Sequence, residues 1–438
     1  MRPELSRHLR TREPSAIRIS QIRHARRTDG TAAINLAIGN VSLPMHPAMI
    51  GRMRALGAAP SPFAGGVVKY TPTVGIPEAA QAFLNVIASS GFPTEGLHCQ
   101  ITDGGSQAME LVVLAVSGPA GSAERPVLLV DPAYTNYGAF AERLGRPTVT
   151  IRRTLGADGK FTLPPLGEID RTIRARRPGG LVVIPYDNPT GHFYDRATMV
   201  ALAKMCVEHD LWMISDEAYR ELFYTDDSVS SIWGLSESEV PGITGRRVSI
   251  ETASKVWNAC GLRIGALVTD DRELHERAVA ENTASLCPNA IGQWIFGALA
   301  HEPHEALHRW YAELRGYYRK MMRDFTGALR YAIPGLVVSS PDASIYSVVD
   351  VRAIARPGFD ALDFVLWCAE HGAVEDAGRA VTVLTAPMAG FYTVPAGEPN
   401  PGRTQMRIAY VEPPEIMARV PALFAELFAK YEATRAHG

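Results

Sequence analysis

Short apolar runs recur through the central part of the chain, and stretches with helical periodicity separate them. Five runs are apolar almost throughout and predict strands near 126–130, 181–185, 211–215, 247–251 and 264–269. Strands of this kind are typical of sheets that helices cover on both faces. The segments 107–117 and 196–209 predict two such helices. The repetition of strand and helix predicts an α/β fold with a mostly parallel sheet flanked by helices.

The two ends of the chain have a different pattern. Residues 1–30 are arginine-rich with weak helical periodicity, and 31–50 predict a short strand and a loop. The C-terminal part suits a smaller α+β domain, with a long helical stretch over about 291–331, strands near 335–350 and 405–411, and helices near 360–372 and 413–434. We therefore expect an N-terminal arm with part of the small domain over 1–50, a large domain over 51–325 and a small domain over 326–438.

Composition narrows the class of protein. The length of 438 residues suits two domains, because single cores stop growing beyond about 250 to 300 residues. The net charge of −2 gives no field that would recruit nucleic acid or an anionic membrane. The chain has no apolar run of the roughly 18 residues that a membrane span needs, and its N-terminus lacks the apolar stretch of a secretory signal.

Cysteine and histidine spacing argues against a metal centre. The five cysteines are scattered without Cys-x-x-Cys, and no His-Glu-x-x-His is present. We therefore expect no disulfide framework, no metal site and a reducing cytoplasm as the compartment. His301, His304 and His308 have helical spacing, for which an exposed helix face is a simpler interpretation than a metal site.

Lys255 is the candidate with the most informative surroundings. It follows an apolar run in Ser-Ile-Glu-Thr-Ala-Ser-Lys, and Arg263 stands eight residues later. The chain has only six lysines among 44 basic residues. A lysine amine can form a Schiff base with a carbonyl group, whereas arginine is never deprotonated in a protein. Lys255 is therefore a candidate anchor for a carbonyl cofactor, and a surface lysine after a strand is the alternative.

A glycine-containing segment, 103–110, opens the first predicted helix. Gly104 and Gly105 allow close backbone approach, and Ser106 and Gln107 follow them. The first N–H groups of a helix have no partners within it, so together with the helix dipole they form an anion site, most often for phosphate. A helix that is merely capped by Ser106 is an equally good interpretation.

Polar or aromatic residues follow three of the predicted strands, where a parallel sheet places its ligands. Tyr134 follows 126–130 and can lie on an aromatic ring. Asn188 follows 181–185 and can bond a ligand oxygen, and Asp216 follows 211–215 and needs a cationic partner if it is buried. The alternatives are a core aromatic residue, an Asn-Pro turn and a helix N-cap aspartate, respectively.

Two arginines complete the candidate set. Arg263, in Gly-Leu-Arg-Ile-Gly, is expected to be partly buried and to bind an anion such as phosphate. Arg407, in the strand-like run Gln-Met-Arg-Ile-Ala-Tyr, can grip a carboxylate if it faces inward. A surface arginine on an edge strand is the alternative for Arg407.

As an ordered set these segments resemble the class I/II aminotransferases, which are fold-type I enzymes dependent on pyridoxal 5'-phosphate and related to aspartate aminotransferase. The resemblance covers about 31 to the C-terminus. It lies in Tyr70-Thr-Pro-Thr-Val-Gly75-Ile-Pro-Glu, Gly-Gly-Ser-Gln-Ala, Asp-Asn-Pro-Thr-Gly, Asp-Glu-Ala-Tyr, Ser-Lys and Arg407, in the family's order. It implies a large cofactor-binding domain with a seven-stranded sheet and a smaller α+β domain.

The resemblance implies a role for each matching residue around the cofactor ring. Lys255 would form the internal aldimine and then move a proton between the substrate Cα and the cofactor's C4′. Asp216 would pair with the ring nitrogen and so stabilise the carbanion. Asn188 and Tyr219 would hydrogen-bond the phenolic oxygen of the ring, and Tyr134 would stack on its face.

The remaining roles implied by the resemblance concern the phosphate and the substrate. The phosphate would be held by Gly105, Ser106, Gln107, Thr252, Ser254 and Arg263. Tyr70 would reach the phosphate of the neighbouring subunit, which implies a homodimer. Arg407 would hold the substrate α-carboxylate, with Gly39 and Asn188 lining the same pocket.

The sequence departs from the family's usual pattern near the expected substrate pocket. Asp187 stands where asparagine or an apolar residue is usual, and Tyr134 replaces a common tryptophan. The segments 342–346 and 384–392 also differ from the common loops, and 281–290 has no arginine to clamp a second substrate carboxylate. These differences affect the expected substrate more than the expected cofactor.

The expected function is transfer of an amino group from an amino acid to a 2-oxo acid by a ping-pong mechanism. A lyase, decarboxylase or oxidase with the same fold and cofactor is the alternative, because all these reactions start from the same adduct. A cofactor-binding regulator is disfavoured, since 1–30 is too short for a helix-turn-helix domain. A nicotinamide-dependent dehydrogenase is excluded by the lack of Gly-x-Gly-x-x-Gly after a strand.

Overall fold

The structure, a computed structural model, describes residues 3–339 and 341–435. The strands, in chain order, are β1 (Ala32–Asn35), β2 (His98–Thr102), β3 (Val127–Asp131), β4 (Thr148–Arg152), β5 (Thr154–Leu155), β6 (Phe161–Thr162), β7 (Gly180–Val183), β8 (Trp212–Asp216), β9 (Arg247–Thr252), β10 (Gly265–Thr269), β11 (Val337–Val338), β12 (Tyr346–Asp350), β13 (Val374–Asp376), β14 (Arg379–Leu384), β15 (Ala386–Pro387) and β16 (Gln405–Ala409).

The α-helices are α1 (Arg7–Arg10), α2 (Ala16–His24), α3 (Pro47–Arg54), α4 (Pro77–Ser89), α5 (Gly104–Val116), α6 (Thr135–Arg143), α7 (Leu166–Arg176), α8 (Arg196–Glu208), α9 (Arg272–Asn282), α10 (Ala290–Gly297), α11 (His304–Ala332), α12 (Ala361–Glu370), α13 (Pro414–Met417) and α14 (Val420–Arg435). The long helical stretch predicted over 291–331 is therefore α10, a short 3₁₀ turn and α11. No helix in the described part of the chain is both long enough and apolar enough to cross a bilayer.

Contacts within the chain divide it into two compact units. The large unit comprises Asn40–Arg323 together with Ser339–Tyr346, and the small unit is formed by the rest of the described chain. These breaks fall at 39 and 323, whereas the sequence suggested domain limits at 50 and 325. The segment Ser339–Tyr346 belongs to the large unit although it follows the end of α11 in the sequence.

A seven-stranded sheet organises the large unit, in the order β2-β10-β9-β8-β7-β3-β4. Neighbours from β9 through β4 run parallel, and β10 is antiparallel to both β9 and β2. This arrangement confirms the predicted α/β fold with a mostly parallel seven-stranded sheet. The parallel strands β3, β7, β8 and β9 end at the same edge of the sheet, which fixes where the segments that follow them meet.

Helix α5 lies against β9 and β10. Its apolar side chains, including Met109, Val112 and Val116, are buried with those of β3, β7, β8, β9, α6 and α9 in one hydrophobic core. Because this helix is held along its length by apolar contacts, its first residues are placed firmly at the edge of the sheet. Helices α7 and α8 contact β4 and β8.

The small unit contains two sheets. One has the order β1-β14-β13, with β1 parallel to β14, and the other has the order β11-β12-β16-β15. Helices α12 and α14 pack together through aromatic side chains, for example Phe364 against Phe428 with ring centroids 5.8 Å apart. The predicted α+β character of this C-terminal part is therefore present in the structure.

Candidate active site

Four segments that follow parallel strands carry the candidate side chains of the large unit. Tyr134 comes after β3, Asn188 after β7, Asp216 is the last residue of β8, and Lys255 comes shortly after β9. The register pairs Val183 of β7 with Ser215 of β8, so the ends of these strands lie side by side. The fold thus brings together residues that are up to about 120 positions apart in the sequence.

Asp216 is half-buried and held from two sides. Its Oδ1 accepts a hydrogen bond from the backbone N–H of Ala218 at 3.0 Å, and its Oδ2 accepts one from the hydroxyl of Tyr137. Burial raises the pKa of Asp216 to about 6, although both hydrogen bonds act in the opposite direction. Burial also raises the pKa of Tyr137 well above 10.0, so this phenol remains a donor to the carboxylate.

The raised pKa of Asp216 predicts a pH-dependent stability of the cofactor-free protein. Because the folded-state pKa lies above the ordinary 3.8, Asp216 favours folding below pH 3.8, and this contribution is lost as the pH rises through about 6. A rise from 3.8 to about 6 corresponds to roughly 3 kcal/mol. The unfolding free energy of the wild type, measured with urea, should therefore fall by roughly this amount between pH 4 and 7. In Asp216→Asn this fall should be absent. Asp227→Asn, at an exposed site, is the control. Equal pH profiles for Asp216→Asn and the wild type would contradict this effect of Asp216 on stability.

The amide of Asn188 and the hydroxyl of Tyr219 form a second polar contact at this edge of the sheet. Asn188 is buried, and its Nδ2 donates to the hydroxyl oxygen of Tyr219 at 3.5 Å. The hydroxyl oxygen of Tyr219 is also 2.9 Å from that of Tyr346, and the two rings meet edge to face at a centroid distance of 5.8 Å. Asn188 and Tyr219, which the sequence placed on the same ligand oxygen, are therefore in contact.

Tyr134 lies at the start of α6 with its ring half-buried. Its hydroxyl accepts a hydrogen bond from Asn136 Nδ2 at 2.9 Å, and its ring meets that of Tyr137 at 5.5 Å in an edge-to-face geometry. Tyr137 in turn bonds Asp216. The structure thus joins Tyr134 to the carboxylate through one intervening tyrosine.

The start of α5 forms a backbone cradle that has no room for side chains. A Cβ on Gly104 would lie 2.9 Å from Cζ of Arg263, and one on Gly105 would lie 3.1 Å from Ile250 Cγ2. Gly104 also has a φ of 75°, which favours glycine. Asp103 is the N-cap residue, so Ser106 lies in the first turn of α5, and the alternative in which Ser106 caps this helix is wrong.

The side chain of Gln107 is engaged elsewhere. Its Oε1 accepts a hydrogen bond from the backbone N–H of Asp103 at 2.7 Å, and its Nε2 donates to Oδ1 of Asn282 at 2.8 Å. Gln107 therefore stabilises the start of α5 from within. The side chain already has two partners, and its backbone N–H lies beyond the three helical residues whose N–H groups are free. A role for Gln107 at an anion site stays a prediction.

Two hydroxyls and a guanidinium surround this cradle. The Oγ atoms of Thr252 and Ser254 are 2.8 Å apart, and Thr252 Cβ lies 3.8 Å from the position of a Cβ on Gly105. Arg263 donates from Nη1 to the carbonyl of Cys260 at 3.2 Å. The sequence predicted a partly buried Arg263, and this was wrong, because the residue follows a surface 3₁₀ turn and its side chain is exposed.

Lys255 lies in the turn that follows β9, with its side chain half-buried. Its Nζ lies 4.0 Å from Sγ of Cys260, and that thiol donates to the carbonyl of Ser254 at 2.8 Å. The alternative of a surface lysine does not describe this environment. The amine lies on the segment that also carries the Thr252 and Ser254 hydroxyls.

The donors and acceptors of this edge fit a phosphorylated aromatic ligand. The glycine cradle, the two hydroxyls and Arg263 have the donors that an anion needs at one end. The carboxylate of Asp216 suits a ring cation, and the Asn188–Tyr219 pair suits a ring oxygen. Lys255 supplies an amine for a carbonyl group. Pyridoxal 5'-phosphate has all four of these groups.

Arg153 was missed by the sequence analysis. Its guanidinium is fully buried, and Nη1 lies 2.8 Å from Oδ2 of Asp187. Nη2 donates to the carbonyls of Val130 and Pro132 at 3.2 and 2.5 Å, and Nη1 donates to Thr190 Oγ1 at 3.3 Å. Arg153 therefore ties together the segments that present Tyr134 and Asn188. The available signal was Asp187 itself, because a buried carboxylate needs a cationic partner.

Arg407 and Gly39 lie in the small unit. Arg407 is 1% exposed on β16, an inner strand of its sheet, so the alternative of a surface arginine on an edge strand is wrong. Its Nη2 donates to the carbonyl of Ala37 at 2.6 Å, and its Cζ lies 5.3 Å from the ring centroid of Phe391. Gly39 is buried two residues after Ala37. The segment before Gly39 is thus bonded directly to Arg407.

Tyr70 is highly exposed, at 79%. Val67 and Val68 nearby are more than half exposed, as is Leu286, whose carbonyl accepts a hydrogen bond from Thr73 at 2.7 Å. An exposed group of apolar residues of this kind is typical of an interaction surface.

One group of side chains in the described chain has the spacing of metal ligands. Asp170, Glu208 and His209 have ligand atoms within 4.8 Å of one another. Arg174 donates to both carboxylates, at 2.8 and 2.9 Å. The position between the carboxylates therefore already has a cation.

The structure is an α/β fold in which a lysine amine, a half-buried carboxylate and a glycine-lined helix start lie at the ends of strands of one sheet. The model of the family "Aminotransferase class I and II" matches residues 31–412. The chain belongs to this family of pyridoxal phosphate-dependent aminotransferases, which confirms the resemblance seen in the sequence.

Several known proteins are similar to this chain in sequence or in fold. The aspartate/prephenate aminotransferase of Thermus thermophilus is 27% identical over 358 residues, covering 80% of this chain and 85% of that protein. The arginine–pyruvate transaminase of Pseudomonas aeruginosa is 27% identical over 291 residues, covering 66% and 69%. A mutant of Thermus thermophilus aspartate aminotransferase has the same fold, with a TM-score of 0.78, 24% identity, and coverage of 98% of this chain and all of that one.

Proposed function

We propose that the protein transfers an amino group from an L-amino acid to a 2-oxo acid in two half-reactions, using pyridoxal 5'-phosphate held covalently by Lys255. The observation that carries the proposal is the meeting of Lys255, Asp216 and the Asn188–Tyr219 pair with the glycine cradle at one edge of the sheet. When bound, this cofactor supplies a ring that takes up negative charge from the substrate carbon.

Different residues at this edge of the sheet would hold different groups of the cofactor. The first turn of α5, the Thr252 and Ser254 hydroxyls and Arg263 would hold the phosphate. The missing Cβ at Gly104 lets the Arg263 guanidinium approach the start of α5, and the exposure of Arg263 leaves it accessible to an anion. Tyr134 would lie on the ring face.

Asp216 would pair with the ring nitrogen. In the cofactor-free protein its pKa is about 6, and a cation in contact would lower it. Tyr137 would help to keep the carboxylate in place, because its hydroxyl donates to Oδ2. Asn188 and Tyr219 would donate to the phenolic oxygen of the ring.

Lys255 would have a second role as the group that moves protons. Its Nζ would accept the proton from the substrate Cα and deliver it to the C4′ atom of the cofactor. Proton transfer by a positioned side chain contributes typically about 10²- to 10⁴-fold to a rate. The half-buried position of Lys255 limits access of water to this amine.

Arg407 would bind the α-carboxylate of the substrate. Its burial and its bond to the carbonyl of Ala37 hold the guanidinium in one orientation, and Gly39 would line the same pocket. A charge-assisted, two-pronged contact suits a carboxylate. Because 281–290 contains no arginine, we do not assign a clamp for a second carboxylate.

A homodimer would complete the site through Tyr70, whose exposed ring would reach the phosphate of the neighbouring subunit. Co-expression of Lys255→Ala with Tyr70→Ala tests this arrangement. Random mixed dimers would hold one complete site each and restore about a quarter of the wild-type activity. A mixture no more active than its two parents would contradict a role for Tyr70 across the interface, and so would full activity of Tyr70→Ala alone.

We also propose a cytoplasmic location. All five cysteines are free thiols in the structure, and free thiols are typical of reducing compartments. The expected partners are the amino acid and 2-oxo acid substrates and a second copy of the chain.

A single half-reaction tests the proposed reaction. The holoenzyme is mixed with an excess of one L-amino acid from a panel, without a 2-oxo acid. We expect about one equivalent of 2-oxo acid per site to be released while the amino nitrogen stays on the enzyme, as in a ping-pong mechanism. A 2-oxo acid added later should recover that nitrogen as a new amino acid. Release of carbon dioxide, or consumption of oxygen, would instead indicate a decarboxylase or an oxidase.

A further inference from the structure

The hydroxyl of Tyr219 contacts that of another buried tyrosine, Tyr346. Tyr346, the first residue of β12, is 2% exposed, and its hydroxyl oxygen is 2.9 Å from that of Tyr219. The oxygen of Tyr219 also receives the amide of Asn188 at 3.5 Å. The hydroxyl of Tyr219 therefore contacts two polar groups, the amide of Asn188 and the hydroxyl of Tyr346.

The position of Tyr346 is fixed by the loop that carries Asn188. The backbone N–H groups of Asp342 and Ala343 donate to the carbonyl of Gly191 at 2.8 and 2.9 Å, and Ser344 Oγ donates to the carbonyl of Asp187 at 2.9 Å. A Cβ on Gly191 would lie 2.7 Å from the carbonyl oxygen of Tyr346. The segment 342–346 and the Asn188 loop thus form one rigid support within the large unit.

We infer that Tyr346 is a positioning residue that sets the direction in which Tyr219 donates its hydrogen bond. This inference rests on the proposed function. Each phenol has a single proton to donate, so the hydrogen bond between the two hydroxyls can run in only two directions. If Tyr346 donates to Tyr219, the proton of Tyr219 points away from Tyr346 and toward the ring oxygen of the cofactor.

A hydrogen bond received by Tyr219 also strengthens the one that it gives. Donation from Tyr346 polarises the phenol of Tyr219, and such chains strengthen each bond by roughly 10–30%. A stronger donor removes negative charge from the ring oxygen. A proton held next to that oxygen, on the cofactor–lysine linkage, is then less stabilised and is lost at a lower pH.

A packing role alone does not require the hydroxyl of Tyr346. Phenylalanine would fill the same space, whereas a buried hydroxyl needs a partner to offset its desolvation. Titratable or charged groups around this pair and at this edge include Asp216, Tyr137, Asp187, Arg153, Lys255, Cys260 and Tyr318. They are unchanged in a Tyr346→Phe variant, so a difference between the two proteins reports on the hydroxyl.

The test is a spectroscopic pH titration of the holoenzyme. We expect Tyr346→Phe to raise the pH midpoint of the visible absorbance change of the bound cofactor by roughly half a pH unit. Cofactor affinity should change less than about twofold, because the phosphate and ring-nitrogen contacts remain. In a Tyr219→Phe background, the same substitution should cause no further shift, since Tyr346 acts through Tyr219.

Tyr311→Phe is the matched control. Tyr311 is 1% exposed and its hydroxyl is 3.1 Å from Ser89 Oγ, so this variant also loses a buried hydroxyl contact. Its midpoint should equal that of wild type. An unchanged or lowered midpoint in Tyr346→Phe overturns the inference while leaving the proposed function intact, as does a full shift in the Tyr219→Phe background. A wild-type protein that binds no cofactor on Lys255 overturns the proposed function itself.

Discussion

Replacement of Lys255 by alanine is expected to lower kcat about 10⁴-fold or more, because it removes both the covalent attachment and the group that moves protons. Lys255→Arg should be equally inactive, since arginine keeps the positive charge but cannot form the covalent bond or release a proton. The comparison separates the chemistry of the amine from its charge. Steady-state rates with the best amino acid of the panel measure the effect.

Lys204→Ala is the control for loss of a lysine, because Lys204 is exposed on α8. It should have wild-type activity. A Lys255→Ala protein that folds normally and retains more than about a tenth of the wild-type kcat would contradict the role given to Lys255.

Replacement of Arg407 by leucine should lower kcat/KM for the amino acid roughly 100-fold, mainly through a higher KM. Loss of one partner from a buried charge pair typically has effects of this size. Cofactor affinity should be nearly unchanged, because none of the proposed cofactor contacts involves Arg407. Initial rates over a range of amino acid concentrations, together with cofactor titration, give the two quantities.

Arg403→Leu is the control in the neighbouring turn. Arg403 is 64% exposed and bonds Asp360 at 2.9 Å, so its loss should leave KM unchanged. If Arg407→Leu weakens cofactor binding as much as it raises KM, the carboxylate contact lies elsewhere and Arg407 is structural.

Much of the fold was readable from the sequence because the inner strands are apolar on both faces. Each predicted strand of the large sheet lies within one or two residues of β3, β7, β8, β9 or β10. The strands β2 and β4 were not predicted, since polar residues interrupt the runs His98–Thr102 and Thr148–Arg152. The antiparallel direction of β10 was not readable either, because an apolar run has no polarity of its own.

The candidate site was predicted as a set of positions, but its contacts were not. Residues after parallel strands meet at one edge whatever their spacing in the sequence, so Asn188, Asp216 and Lys255 could be grouped in advance. The partners of these residues depend on side-chain packing. Tyr137 precedes Asp216 by 79 positions and Arg153 precedes Asp187 by 34, and no sequence pattern joins either pair.

One prediction, for Arg263, and one alternative, for Ser106, were wrong because of local context. Flanking glycines suggested burial of Arg263, whereas the glycines permit a surface turn and a close approach to Gly104. The position of Ser106 before an apolar run suggested a cap, whereas α5 begins two residues earlier, at Gly104. In both places the glycines, and not the polar side chains, determined the conformation of the backbone.

Covalent attachment of the cofactor at Lys255 is tested by finding which lysine carries it. The holoenzyme is reduced with borohydride, digested and analysed by mass spectrometry. We expect one pyridoxyl group per chain, on the peptide that contains Lys255. The other five lysines, at 69, 160, 204, 320 and 430, should be unmodified. A pyridoxyl group on one of those five, or none on Lys255 in a protein that retains its activity, would contradict attachment at Lys255.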